Sequence, residues 1–171
     1  MRSVILLITF TTSINMNAIG QNDPYKKHVK TLDSTIETLY NVISGDAGVK
    51  RDWDLFRYLF VPEAKLIPTR INDNQPELTF LSPNDYVERS GAWLEENGFF
   101  EIEITRKEET FGTVTHIFST YASYRTSQDK EPFARGINSI QLMNDGNRWW
   151  IISIYWLNES ESYPLPSKYL K

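Results

Sequence analysis

At 171 residues, with 40% hydrophobic and 13% aromatic content and no cysteine, the chain is sized for one packed domain and excludes disulfide stapling, thiol catalysis and cysteine-ligated metal sites. Its formal charge is −4, and Arg2 is the only charged residue among the first 20, so residues 21–171 carry 17 positive and 22 negative groups. A mildly acidic chain with no basic run lacks the electrostatic footprint of a nucleic-acid binder, and its two imidazoles, His28 and His116, fall in different elements without HExxH spacing, so no metal or other cofactor is expected.

The opening "MRSVILLITFTTSINMNAIGQ" has a basic residue at Arg2, an apolar core near Val4 to Ile14, and Ala18 and Gly20 in A-x-G spacing. That is the pattern of a cleavable export signal over residues 1–20, cut near Gly20, and it places the remaining domain in the periplasm or outside the cell. The apolar run is shorter than the roughly 18 residues a membrane-spanning helix needs, so no membrane partner is expected after cleavage.

Asp23 before Pro24 predicts a helix start, and Val29, Leu32, Ile36, Leu39, Tyr40 and Ile43 recur at spacings of three and four until Gly45. A short second helix fits "RDWDLFRYLF", stopped by Pro62. "AKLIPT" predicts a brief strand, "RINDNQPE" a polar loop, and "LTFLS" another extended piece. Ser82 and Pro83 open a third helix that Asn97 and Gly98 close. The period then changes from helical to two, and residues 99–106, 111–125, 132–143 and 148–157 read as four antiparallel strands linked by "KEET", "TSQDKE" and "NDGN". From about residue 158 the tail has no period and is expected to be irregular. Helices followed by a run of long strands predict an α+β domain, a curved antiparallel sheet with three helices on its concave face and a cavity at the open end.

This order of elements resembles the nuclear transport factor 2-like superfamily, the cone-shaped, cystatin-like fold of ketosteroid isomerase and the SnoaL cyclases. The matching residues are "LYNVISGD", "DWDLFRYLFVPEAKLI", "FGTVTHIFSTY" and "GINSIQLMNDGNRWWIISIYWLNE", and the closing segment is most similar to exported members. The isomerase resemblance implies a hydrogen-bonding tyrosine at Tyr40 and a donor on the penultimate strand at Asn138. It places the base of that family at Pro68, which takes no proton. It also puts Trp156 at the cavity mouth, and it implies a homodimer packed through the outer sheet face, where Trp149, Ile151 and Tyr155 would form an apolar stripe.

In "RGINSIQL" the strand period sets Gly136, Asn138, Ile140 and Leu142 on one side and Ile137, Ser139 and Gln141 on the other. His116 shares its parity with Val114 and Phe118 and is expected to point inward; in the opposite phase Ile117 and Tyr121 take the core. Arg135 is expected in a surface ion pair. The expected function is binding of a small apolar molecule in the cone without catalysis, through Tyr40, His116, Asn138 and Trp156. One alternative is a SnoaL- or dehydratase-like enzyme with His116 as general base. The other is an interaction or dimerisation module with a filled cavity.

Overall fold

The computed structural model describes residues 23–73 and 75–171; the predicted export signal lies outside them. The first helix begins later than expected. Asp23 instead caps a turn, accepting from the Tyr25 and Lys26 amides, and a 3-10 turn follows at Lys26–Val29. Helix α1, Leu32–Ile43, starts at Thr31, where Thr31 and Ser34 exchange both bonds of a capping box. Its stripe of Ile36, Leu39, Tyr40 and Ile43 is buried, and Ser44 ends it one residue before Gly45. Helix α2, Trp53–Tyr58, is capped by Asp52, which accepts from the Leu55 amide at 2.8 Å. Helix α3, Pro83–Asn97, opens on a Ser82–Asp85 capping box and closes at Gly98, whose φ of 71° suits glycine.

Six strands form one sheet in the order β2-β1-β6-β5-β4-β3: β1 Phe60–Asn72, β2 Gln75–Leu78, β3 Phe100–Phe111, β4 Val114–Tyr124, β5 Ala134–Asn144 and β6 Trp149–Asn158. Neighbours are antiparallel except β1 and β6, which run parallel, so the sheet is mixed. Pro62 does not stop a helix. It lies in β1 where the register shifts between Phe60 and Lys65, a place where a missing amide donor interrupts no ladder. The expected polar loop "RINDNQPE" is the β1–β2 hairpin, pairing Asn72 with Gln75 and Arg70 with Glu77. All four β2 residues are exposed, so this edge strand shows no apolar alternation. "KEET" likewise belongs to β3, which runs on to a turn at Gly112, and these protruding residues bury nothing.

The concave face and the three helices enclose the core, including Phe56, Ile117, Ile140, Leu142 and Ile151. Bulges between Glu103 and Thr105 in β3, and opposite Gln141 and Leu142 in β6, bend the sheet. The second bulge overturns the stripe expected on β6. It inserts Ile152 and changes the phase, so Ile151 is fully buried and packs in the core with Trp149, while Ile152 (41% exposed) and Tyr155 (45%) face outward. The tail crosses the outer face: Thr120 donates to the Tyr169 carbonyl at 2.7 Å, and the Tyr169 ring lies 5.0 Å from Phe118.

Buried Arg51 joins the helix ends. Its guanidinium donates to the carbonyls of Ile43 at 3.2 Å and Gly45 at 2.6 Å after α1, and of Leu94 at 3.2 Å in α3, with Asp46 and Val49 also accepting. Carbonyls left over at two helix C-termini thus share one cation.

Candidate functional site in the cone

Between α1, α3 and the concave face lies a cavity of about 270 Å³. Leu39 and Ile43 come from α1, Phe56 from α2, Leu66 from β1, and Tyr86, Trp93 and Leu94 from α3. The sheet contributes Glu101 from β3, Tyr121 and Ser123 from β4, Asn138 from β5, and Ile154, Trp156 and Asn158 from β6. A larger groove of about 720 Å³ adjoins it and shares Tyr86, Ser90, Trp156 and Asn158, which therefore stand between the two. The wall is mostly apolar with one polar corner, the usual make-up of a small-molecule site, although its volume is near the lower end of the roughly 300 to 1,000 Å³ common for such pockets.

The polar corner is built by strand register. Glu101 pairs with Ser123, and the Ser123 hydroxyl donates to the Glu101 carboxylate at 3.0 Å. Burial pushes this carboxyl up to about 7, against the opposing pull of the Ser123 hydroxyl and the Asn138 amide. Beside it, Asn138 Nδ2 donates to the Tyr40 hydroxyl at 3.1 Å. Ser119 Oγ donates to Glu103 at 2.6 Å, so it accepts from Tyr40 at 2.7 Å, and the chain runs from Asn138 through Tyr40 and Ser119 to a carboxylate. Glu103 is held in turn by Arg106 at 3.4 Å, which also reaches Asp33. Burial raises the Tyr40 phenol above its ordinary range.

Four residues were expected to line the site. Asn138 and Trp156 do so, Asn138 with the strand parity that "RGINSIQL" implies. Tyr40 stands behind Asn138, buried, with its hydroxyl committed to the chain. His116 is on the other side of the sheet, where its Nε2 lies 3.1 Å from the Ser139 hydroxyl. Ile117, Ser119 and Tyr121 take the concave side of β4. The apolar neighbours of like parity mislead here, because Val114 is exposed near the hairpin turn and Phe118 is covered by Tyr169 of the tail rather than by the core. Pro68 pairs with Trp156 and lines the adjoining groove, so β1 sends no carboxylate into the cavity. Arg135 pairs with Glu159 at 2.7 Å, as expected of a surface charge.

Glu101 is the residue that reading the sequence missed. In "FEIEI" the convention that isoleucines face the core is inverted: Ile102 (50% exposed) and Ile104 (40%) face away, while Glu101 and Glu103 turn inward against Ser123 and Ser119. The usable signal was the facing strand, whose small hydroxyl residues at 119 and 123 suit carboxylate partners. Gly136 makes room on the same face. A Cβ there would collide with the Leu157 carbonyl oxygen and lie 2.5 Å from the Tyr121 hydroxyl, which donates to Asn158 at 2.6 Å. Among the described residues no cluster of His, Asp or Glu is arranged to hold a metal ion, and no helix is long and apolar enough to cross a membrane.

No protein-family model matches the chain, and no curated protein is similar to it in sequence. Solved structures match its fold. An NTF-2 like protein of unknown function from Silicibacter pomeroyi superposes with a TM-score of 0.53 at 13% identity, covering 78% of this chain and 97% of that one. A protein of unknown function with a cystatin-like fold from Nostoc punctiforme gives 0.54 at 9% identity over 77% and 95%. A protein of unknown function from Mycobacterium tuberculosis gives 0.56 at 13% identity over 80% of each chain. Identities this low speak to fold alone.

Proposed function

Because the chain has the nuclear transport factor 2-like fold, we propose that it works as other concave scaffolds do, by holding a small and largely apolar molecule in the cone, without catalysis. The observation that carries this reading is the aromatic-walled cavity with its single polar corner at Glu101, Ser123 and Asn138. The apolar wall supplies affinity and the corner supplies orientation. Trp93 and Trp156 line the cavity, so small aromatic compounds are expected to quench tryptophan fluorescence saturably. Ala134 at the start of β5 also lines the cavity, and Ala134→Phe, designed to fill it, should abolish the effect. Quenching that does not saturate, or that survives in the filled variant, would remove the reading.

One observation favours a second reading. A carboxyl held near neutrality inside a cavity is suited to moving a proton, so an enzyme would use Glu101 as its acid or base, in place of His116 on the opposite face. Under it, Glu101→Gln abolishes turnover of a bound compound and keeps binding; under the first reading no turnover exists to lose.

We also propose export of the domain, supported by the leader pattern of residues 1–20. Sequencing the N-terminus of the mature protein tests it, and a retained Met1 would contradict it. Half-exposed Ile152 and Tyr155 on the outer face support pairing of two copies there. Sedimentation of the protein and of Tyr155→Lys decides that point: a dimer that the substitution dissociates is expected, and a monomeric parent would overturn it.

A further inference from the structure

We propose that the cone cavity takes an organic ammonium, an amine or quaternary ammonium carried on a hydrocarbon of about one ring, with its cation against Glu101. The inference rests on the cavity being a ligand site, and it names the ligand class. Two features of the wall combine to give it. First, the cavity holds one carboxylate and no countercharge. Among the described residues the ion pairs are Arg57 with Asp54, Arg106 with Asp33 and Glu103, and Arg135 with Glu159, and none involves Glu101. Glu101 has only neutral donors, and an ionised carboxylate withdrawn from water is strongly disfavoured without a cation.

Second, the rest of the wall is rich in aromatic rings, among them Phe56, Tyr86, Trp93, Phe99, Tyr121 and Trp156. Their faces attract a cation while their bulk excludes water. At the rim this attraction is already in use, for the Arg125 guanidinium lies 4.7 Å from the Trp93 ring and 4.2 Å from that of Phe133. An anion would be repelled by Glu101. A hard metal ion would find too few oxygen ligands to replace its hydration shell. A neutral hydrocarbon would fill the space and leave the carboxylate uncompensated. An alkylated ammonium meets both features at once, since it is weakly hydrated and carries its own apolar surface.

The pair benzyltrimethylammonium and neopentylbenzene tests this directly, because they differ only in carbon for charged nitrogen. The groups facing Glu101 are the phenols of Tyr40, Tyr86 and Tyr121, with Asp33, Glu37, Glu103 and Arg106 along the adjoining crevice and Arg125 at the rim. Calorimetric titration of the protein at pH 8.5 should find the cation bound at least about tenfold more tightly than the hydrocarbon. That preference should shrink at least about tenfold at pH 5.5, where Glu101 is protonated, and vanish in Glu101→Gln. Unchanged binding of neopentylbenzene to Glu101→Gln shows that the variant keeps its cavity. If the hydrocarbon binds as tightly as the cation, or if Glu101→Gln keeps the preference, the ammonium inference fails and the ligand cavity stands. If neither compound binds at millimolar concentration, both fail together.

Discussion

Asn138 and Tyr40, 98 residues apart in the chain, meet in the core, where the Asn138 amide donates to the Tyr40 hydroxyl at 3.1 Å. The bond ties the end of α1 to β5 and orients the amide that lines the cavity. Tyr40→Phe leaves that donor without its acceptor. Its expected cost is about 1 to 3 kcal/mol of unfolding free energy, read from urea denaturation. An unchanged midpoint would mean that water replaces the phenol.

Stability should depend on pH through Glu101. Its carboxyl is raised from 4.5 to about 7 by burial, so the folded state binds a proton that the unfolded state has released. The contribution is fully present below about pH 4.5 and is lost as pH rises through about 7. The unfolding free energy of the protein relative to Glu101→Gln should therefore fall between those two values. A difference that stays flat across the window would contradict the assignment.

Gly136→Ala places a methyl group against the Leu157 carbonyl and the Tyr121 hydroxyl. A loss of about 1 to 3 kcal/mol is expected, typical of overpacking. Adding Tyr121→Phe should restore little, because the backbone contact remains.

Arg51→Met removes the donor shared by the C-termini of α1 and α3, and a loss of at least about 3 kcal/mol is expected from several buried carbonyls left without partners. Arg51→Lys should recover only part of it, since an ammonium cannot reproduce the planar fork of the guanidinium. Thermal unfolding of the two variants checks both statements.

What was legible in the sequence had a local physical cause. Ser82 with Pro83 marked the start of α3, and the period of "RGINSIQL" put Asn138 on the same side as Ile140 and Leu142, because caps and alternation act over a few residues. The resemblance placed Trp156 at the mouth. What was hidden depended on distant partners. Phe118 owes its burial to Tyr169 in the tail, which hid the phase of His116. Ile152 enters β6 as a bulge, which reversed the apparent face of Ile151. Glu101 looks like a solvent-facing charge until β4 brings Ser123 beside it. The hairpin at Asn72 and Gln75 escaped because an exposed edge strand carries no hydrophobic pattern.

Isoleucine methyl NMR during titration with benzyltrimethylammonium and with neopentylbenzene decides whether a ligand sits inside the cone or on the outer face of the sheet. Ile154 and Ile152 lie two residues apart on opposite faces of β6, and Ile43 completes the cavity from α1. Saturable shifts at Ile43 and Ile154 with Ile152 unmoved are the predicted result. Shifts at Ile152 with Ile43 and Ile154 unmoved would contradict it.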